Sequence, residues 1–228
     1  MSIKNLIRDV ISSIISYNNF TKINVFFRGG LHYIPMLGYA DIKGWFTPKE
    51  AMALYDVALD LPEGNPLVCE IGSWQGKSSV VIAKGIIKKN NPKLYCVDPF
   101  DGMSDERSMA GGTVDKPKSG LKETFIINMK QNKVNNIITI LEGYSHKVVQ
   151  GFDENLDLLF IDGNHDYEAV LNDYLDWMKF VKVGGFIGFH DTTWPGPEKV
   201  IREHIMNRLA WKIIKNVDDL IIAQKLGN

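Results

Sequence analysis

Beyond residue 65 the chain alternates short apolar runs with longer stretches of helical periodicity, and this alternation limits the folds open to it. The runs Leu67–Ile71, Leu94–Val97, Ile137–Leu141, Leu156–Ile161 and Gly185–His190 predict strands. Helical patterns lie between them near residues 77–89, 120–131, 145–150 and 167–180, and another follows at 197–208. Strand and helix in turn imply βαβ units, hence a parallel sheet covered on both faces. Two last apolar runs, 211–215 and 219–223, could close the sheet as an antiparallel pair. The expected architecture is a doubly wound α/β domain over residues 46–228, preceded by a helical or irregular extension over residues 1–45. Residues 99–119 form a long Gly- and charge-rich connection at the carboxyl end of the second strand, where a lid over a site is expected.

Composition excludes several classes. The 228 residues are 45% hydrophobic and 23% charged, enough apolar material for a core without metal or disulfide staples. A net charge of -1 gives no general attraction to nucleic acid. Cys69 and Cys96 lie inside apolar runs and read as buried thiols, which fits a reducing cytoplasm. Nothing is long and apolar enough to span a membrane. The apolar pattern at residues 3–17 suits packing on the domain or on a second copy in a homo-oligomer, with a membrane-surface role as the alternative.

The sharpest local feature is Val68-Cys69-Glu70-Ile71-Gly72-Ser73-Trp74-Gln75-Gly76-Lys77-Ser78-Ser79, read as strand, tight turn and helix start. In open α/β sheets ligands bind at such carboxyl ends. A nicotinamide site would need G-x-G-x-x-G, which the Gly72 and Gly76 spacing fails. A phosphate-binding loop would need one more residue before Gly76-Lys77-Ser78. An acid two residues before the first glycine suits a partly cationic ligand such as S-adenosylmethionine. Glu70, Gly72, Ser73, Gly76 and Ser78 are the candidate residues for it. Asp98, at the tip of the next strand, offers a bidentate acceptor to vicinal ribose hydroxyls. Gly143 and Ser145 follow the third strand where the adenine would lie, although Ser145 as a helix cap explains them almost as well.

Two further strand tips carry chemistry. Asp162 ends the fourth predicted strand with His165 three residues on, and Asp191 follows the fifth. Neighbouring carboxylates repel unless a cation or proton sits between them, and a hard ion such as Mg²⁺ would use both Asp162 and Asp191. His190 reads as a supporting residue rather than a ligand, and Trp194 either stacks on an acceptor or stiffens a turn.

Taken together, EIGSWQGKSS, LYCVDPFDG, LLFIDGNHDYEAV and GGFIGFHDT resemble the small-molecule O-methyltransferase branch of the S-adenosylmethionine-dependent methyltransferases. The metal-dependent sugar methyltransferases are the nearest in kind. The resemblance spans residues from about 45 to 208. It implies a Rossmann-like seven-stranded sheet of order 3-2-1-4-5-7-6 with the last strand antiparallel. It also implies Asp162 as a catalytic and cofactor-side residue, His165 as general base, and Asp162 and Asp191 as metal ligands. Thr192 stands where the catechol-type branch has Asn, and Asp101, Asp105 or Glu106 could complete a ligand set. The implied reaction is methyl transfer to a hydroxyl of a small molecule, by analogy a saccharide or glycosylated metabolite. A P-loop-like nucleotide hydrolase using Lys77, and a non-catalytic cofactor-binding scaffold, are the alternatives.

Overall fold

The computed structural model describes residues 16–102 and 120–227. The readings made on residues 3–15 and on most of the 99–119 connection, including Asp105 and Glu106, lie outside them.

A seven-stranded sheet of order β3-β2-β1-β4-β5-β7-β6 carries the molecule, as the resemblance implied. Its strands are β1 (Leu67–Ile71), β2 (Lys93–Asp98), β3 (Ile138–Glu142), β4 (Leu156–Ile161), β5 (Val181–Phe189), β6 (Trp211–Val217) and β7 (Leu220–Lys225). The first five pair in parallel, β7 runs antiparallel to β5, and β6 closes the edge as an antiparallel hairpin partner of β7. Central β4 is buried at every position, and its one charged residue, Asp157, accepts from the Leu67 N–H and the Lys182 ammonium. The fifth strand starts at Val181, earlier than its sequence pattern suggests, because exposed Lys182, Val183 and Gly184 interrupt the apolar signal.

The strands alternate side chains between two apolar layers. Val68, Leu94, Leu158 and Phe160 face one layer, with Ala51 and Leu54 of α2 (Pro48–Leu59), Val80 and Ile82 of α3 (Lys77–Ile86) and Phe125 of α4 (Leu121–Gln131). Cys69, Ile71, Val97, Leu159 and Ile161 face the other. Val170, Tyr174 and Trp177 of α6 (Tyr167–Trp177) and Val200 and Ile201 of α7 (Pro195–His204) cover them. A short helix α5 (Ser145–Val148) follows β3. Both cysteines are buried and unbridged, as expected.

The described part of the segment before residue 46 is part of the first layer. Val25 of α1 (Tyr17–Gly29), Met36, Tyr39 and Ala40 of a 3₁₀ stretch (Gly30–Asp41), and Ile42 all join its core. The sequence reading has no element between 46 and 66, yet α2 begins there with Pro48 in its first turn. Thr47 and Glu50 form a reciprocal capping box at its start, satisfying backbone N–H groups that would otherwise lack partners. No helix among the described residues is long and apolar enough to cross a membrane.

Candidate active site

One cavity of about 1080 Å³ runs along the carboxyl ends of β1, β2, β4 and β5. Gly72, Ser73, Ser78 and Asp98 border its first half, and Gly143, Ser145 and Asp162 continue it. His165 and Asp191 lie on its wall as well.

Glu70 and Gly76 do not line that wall. Glu70 is a fully buried residue of β1 and accepts a hydrogen bond from the Ser79 hydroxyl. Burial pushes its carboxyl up to about 7 against the pull of Ser78, Ser79 and Ser73. Ser79 is therefore tied to Glu70, and the helix start has no side-chain cap. Gly76 has φ +88°, and a Cβ there would lie 2.3 Å from Met129 Cε, so this glycine makes room for α4 and not for a ligand. Gly72 is needed for a similar reason, since its Cβ would meet the Asp162 carbonyl oxygen at 2.1 Å. That close packing of the β1 and β4 tips brings Ser73 and Asp162 to one wall.

Asp98 is shaped as an acceptor of two further donors. Its Oδ2 accepts from Trp74 N–H at 2.8 Å and its Oδ1 from Phe100 N–H at 2.7 Å, leaving each oxygen one more lone pair. Burial raises its pKa, and the two N–H groups oppose that rise. Ser145 does not cap α5, since the hydroxyl donates to Asp173 instead. Asp173 borders the cavity, and burial lifts its carboxyl to about 6. Tyr144 hydroxyl donates to Asp101 at 2.7 Å, which accounts for the described acid at the start of the 99–119 connection.

At the far end Asp162, His165 and Asp191 come together. One ligand atom from each lies within 4.8 Å of the others, so this trio could hold a metal ion. His165 Nε2 stands 2.8 Å from Asp191 Oδ2. His190 is buried beneath them, with Nδ1 3.0 Å from Asp162 Oδ1 and 3.2 Å from Asp191 Oδ2. The supporting role read for His190 is thus a bridge between the two carboxylates. Burial alone would lower its pKa, but Asp162 above all, with Asp191 and Glu50, holds it well above the ordinary value. Asp191 is held well below the usual carboxylate range by His165 and His190, despite its burial. Asp162 goes the other way, raised by burial against the pull of His190.

Glu50 completes this group and has no precedent in the sequence reading. It is 1% exposed, with Oε2 3.4 Å from His190 Nε2 and Oε1 accepting from Asp219 N–H at 2.8 Å. Burial favours its neutral form, yet His190 and the Thr47 and Asp219 N–H groups outweigh this and hold its pKa below the ordinary value. The capping box Thr47-Pro48-Lys49-Glu50 was the visible signal, but a cap alone says nothing of a histidine 140 positions away. Asp173 was detectable only as an acid on the apolar face of α6.

The residues present suit a cationic nucleoside better than a triphosphate. Ser73 Oγ is buried without a partner among the described residues, and Asp98 retains acceptor capacity. Lys77, which a phosphate-binding loop would aim at its ligand, donates to the Ile42 carbonyl at 2.7 Å. Burial lowers its pKa to about 8.

An open sheet of this order, with a long cleft across its carboxyl ends and an acid at the tip of β2, defines the Rossmann-like methyltransferase class. A family model described as "Methyltransferase domain" matches residues 69–192, more than half of the chain, and the chain belongs to that family. An uncharacterized protein of Acanthamoeba polyphaga mimivirus, R132, is 28% identical over 122 residues, 54% of this chain. The match covers 49% of that relative, so the chain spans about half the length of the curated protein it matches. Among solved structures, the O-methyltransferase NovP superposes with a TM-score of 0.65 at 18% identity, covering 78% of this chain and 80% of its own. The O-methyltransferase TomG of Streptomyces achromogenes, solved with SAM, gives 0.63 at 15% identity, covering 93% of this chain and all of its own.

Proposed function

We propose that this protein transfers a methyl group from S-adenosylmethionine to a hydroxyl of a small molecule, with His165 as the general base. The observation that carries this reading is the single cavity that joins Asp98 at one end to His165 at the other. S-Adenosylmethionine would supply an electrophilic methyl on a sulfonium, with the neutral thioether as leaving group when a hydroxyl oxygen attacks the methyl carbon.

The chain's own residues position and deprotonate. Asp98 receives the ribose hydroxyls on its two remaining lone pairs. Ser145 and Asp173 border the base end, and Gly72, Ser73 and Ser78 border the amino-acid end. Asp191 Oδ2 stands 2.8 Å from His165 Nε2, close enough to favour a positive charge on the ring. His165 then takes the acceptor proton as the new carbon–oxygen bond forms, and Asp191 stabilises the imidazolium that results. His190, held by Glu50 from below, keeps Asp162 and Asp191 from repelling one another.

A divalent ion such as Mg²⁺ is the second part of the proposal. Asp162 and Asp191 would hold it, and it would supply a Lewis acid that makes the hydroxyl more acidic. Asp162 and Asp191, which would hold it, already face His190, so full activity in chelator would remove the ion and leave the histidine mechanism standing. The acceptor proposed from the motif resemblance is a saccharide or glycosylated metabolite.

Labelled methyl transfer to a panel of glycosides and phenols, with Mg²⁺ or with chelator, tests the whole. Incorporation that requires His165 supports it. Binding of S-adenosylhomocysteine with no incorporation into any hydroxyl would favour the scaffold alternative.

A further inference from the structure

We infer that Trp45, stacked on Trp74 at the rim of the cavity, is the platform for the methyl acceptor, and that this acceptor is an uncharged ring compound. The inference rests on the methyl-transfer reading and deepens it.

Trp45 lies between the 3₁₀ stretch and α2, with its ring 5.6 Å from that of Trp74 and 25° from parallel. It borders the cavity and is still 60% exposed. A large indole left in water at a cavity rim keeps apolar surface hydrated, and a flat ligand would cover it. The neighbouring residue, Phe46, shows the contrast: it is buried, 5.1 Å from the His190 ring. The backbone beneath the platform is fixed. Ile42 accepts from the Lys77 ammonium, and Gly44, at φ +135°, passes so close that a Cβ would lie 3.1 Å from Lys77 Cδ. The Trp74 backbone is held in turn by its amide N–H, which donates to Asp98. Across the site a second indole, Trp194, lies 4.7 Å from the His165 ring. Trp45, Trp194 and His165 thus border one cavity.

Charge narrows the ligand further. Asp162, Asp191 and Asp219 border this end of the cavity. Among the described lining residues the only Lys or Arg is Lys77, its ammonium bonded to Ile42, and of the lining histidines His165 and His190 lie against Asp162 and Asp191. A phosphorylated acceptor would meet like charge there, whereas a neutral glycoside or phenol would not.

The test uses the full chain saturated with S-adenosylhomocysteine and titrates 4-nitrophenyl β-glucoside and 4-nitrophenyl phosphate by calorimetry. The glucoside should bind, and the phosphate should bind at least tenfold more weakly. Trp45→Ala should weaken the glucoside roughly three- to tenfold, the scale of one aromatic contact. Trp45→Phe should restore most of that loss, and S-adenosylhomocysteine affinity should stay within about twofold in both variants. Equal glucoside affinity in Trp45→Ala, equal affinity for the phosphate, or no glucoside binding to the wild type would each overturn the inference. Loss of S-adenosylhomocysteine binding in Trp45→Ala would also overturn it, by moving Trp45 to the cofactor. A wild-type chain that fails to bind S-adenosylhomocysteine would instead sink the methyl-transfer reading beneath it.

Discussion

Oε2 of Glu50 reaches Nε2 of His190 at 3.4 Å, and both side chains are almost fully buried. This contact ties the cap of α2 to the carboxylate pair at the sheet's carboxyl edge. A buried charge stripped of one partner is costly, because the group left behind keeps its desolvation penalty. Glu50→Ala should cost roughly 3–5 kcal/mol of stability, and Glu50→Gln less, since the amide oxygen can still accept from Asp219 N–H. Denaturant melts of the two variants check the order. Equal stability of Glu50→Ala and wild type would remove the contact from the account.

His165→Ala should lower turnover about a hundredfold to ten-thousandfold, the range of general-base catalysis. Binding of S-adenosylhomocysteine should not change. Single-turnover kinetics with labelled cofactor measure the first and calorimetry the second. Unchanged turnover would reject the role given to His165.

Asp98→Asn keeps the shape of the side chain and removes its charge. A hydrogen bond to a charged group contributes about 1.5–3 kcal/mol, so cofactor affinity should fall roughly tenfold to a hundredfold. An Asp98→Asn variant that binds as the wild type does would mean that the nucleoside lies elsewhere.

Glu70 gives a pH signature. Its pKa is raised from 4.5 to about 7 in the folded protein. The folded state therefore binds the proton more tightly than the unfolded state. The associated stability is fully present below pH 4.5, falls as pH rises, and is gone above about 7. The loss is on the order of 3 kcal/mol. Glu70→Gln should remove this slope, so that the variant gains on the wild type between pH 4.5 and 7. Parallel stability curves for the two proteins over that window would contradict the assignment.

Much of the architecture was legible because the sheet is parallel and buried. β4 was delimited to the residue by its apolar run, which only Asp157 interrupts, and Asp162 and Asp191 were placed together by strand adjacency alone. What local pattern did not show are neighbours distant in sequence or fixed by packing. Gly76 has Met129 of α4 against it. Glu70 is buried in β1 and bonded to Ser79. α2 was missed although Thr47 and Glu50 carried the cap spacing, and with it went the partner of His190. Tertiary packing, not local pattern, decides each of these.

The account depends most on what enters the cleft between Asp98 and His165. Titration of the full chain with S-adenosylhomocysteine and, separately, with ATP decides it. One mole of S-adenosylhomocysteine should bind per chain, more weakly in Asp98→Asn, and ATP should give no heat of binding. Saturable binding of ATP, or none of S-adenosylhomocysteine, would contradict the central claim.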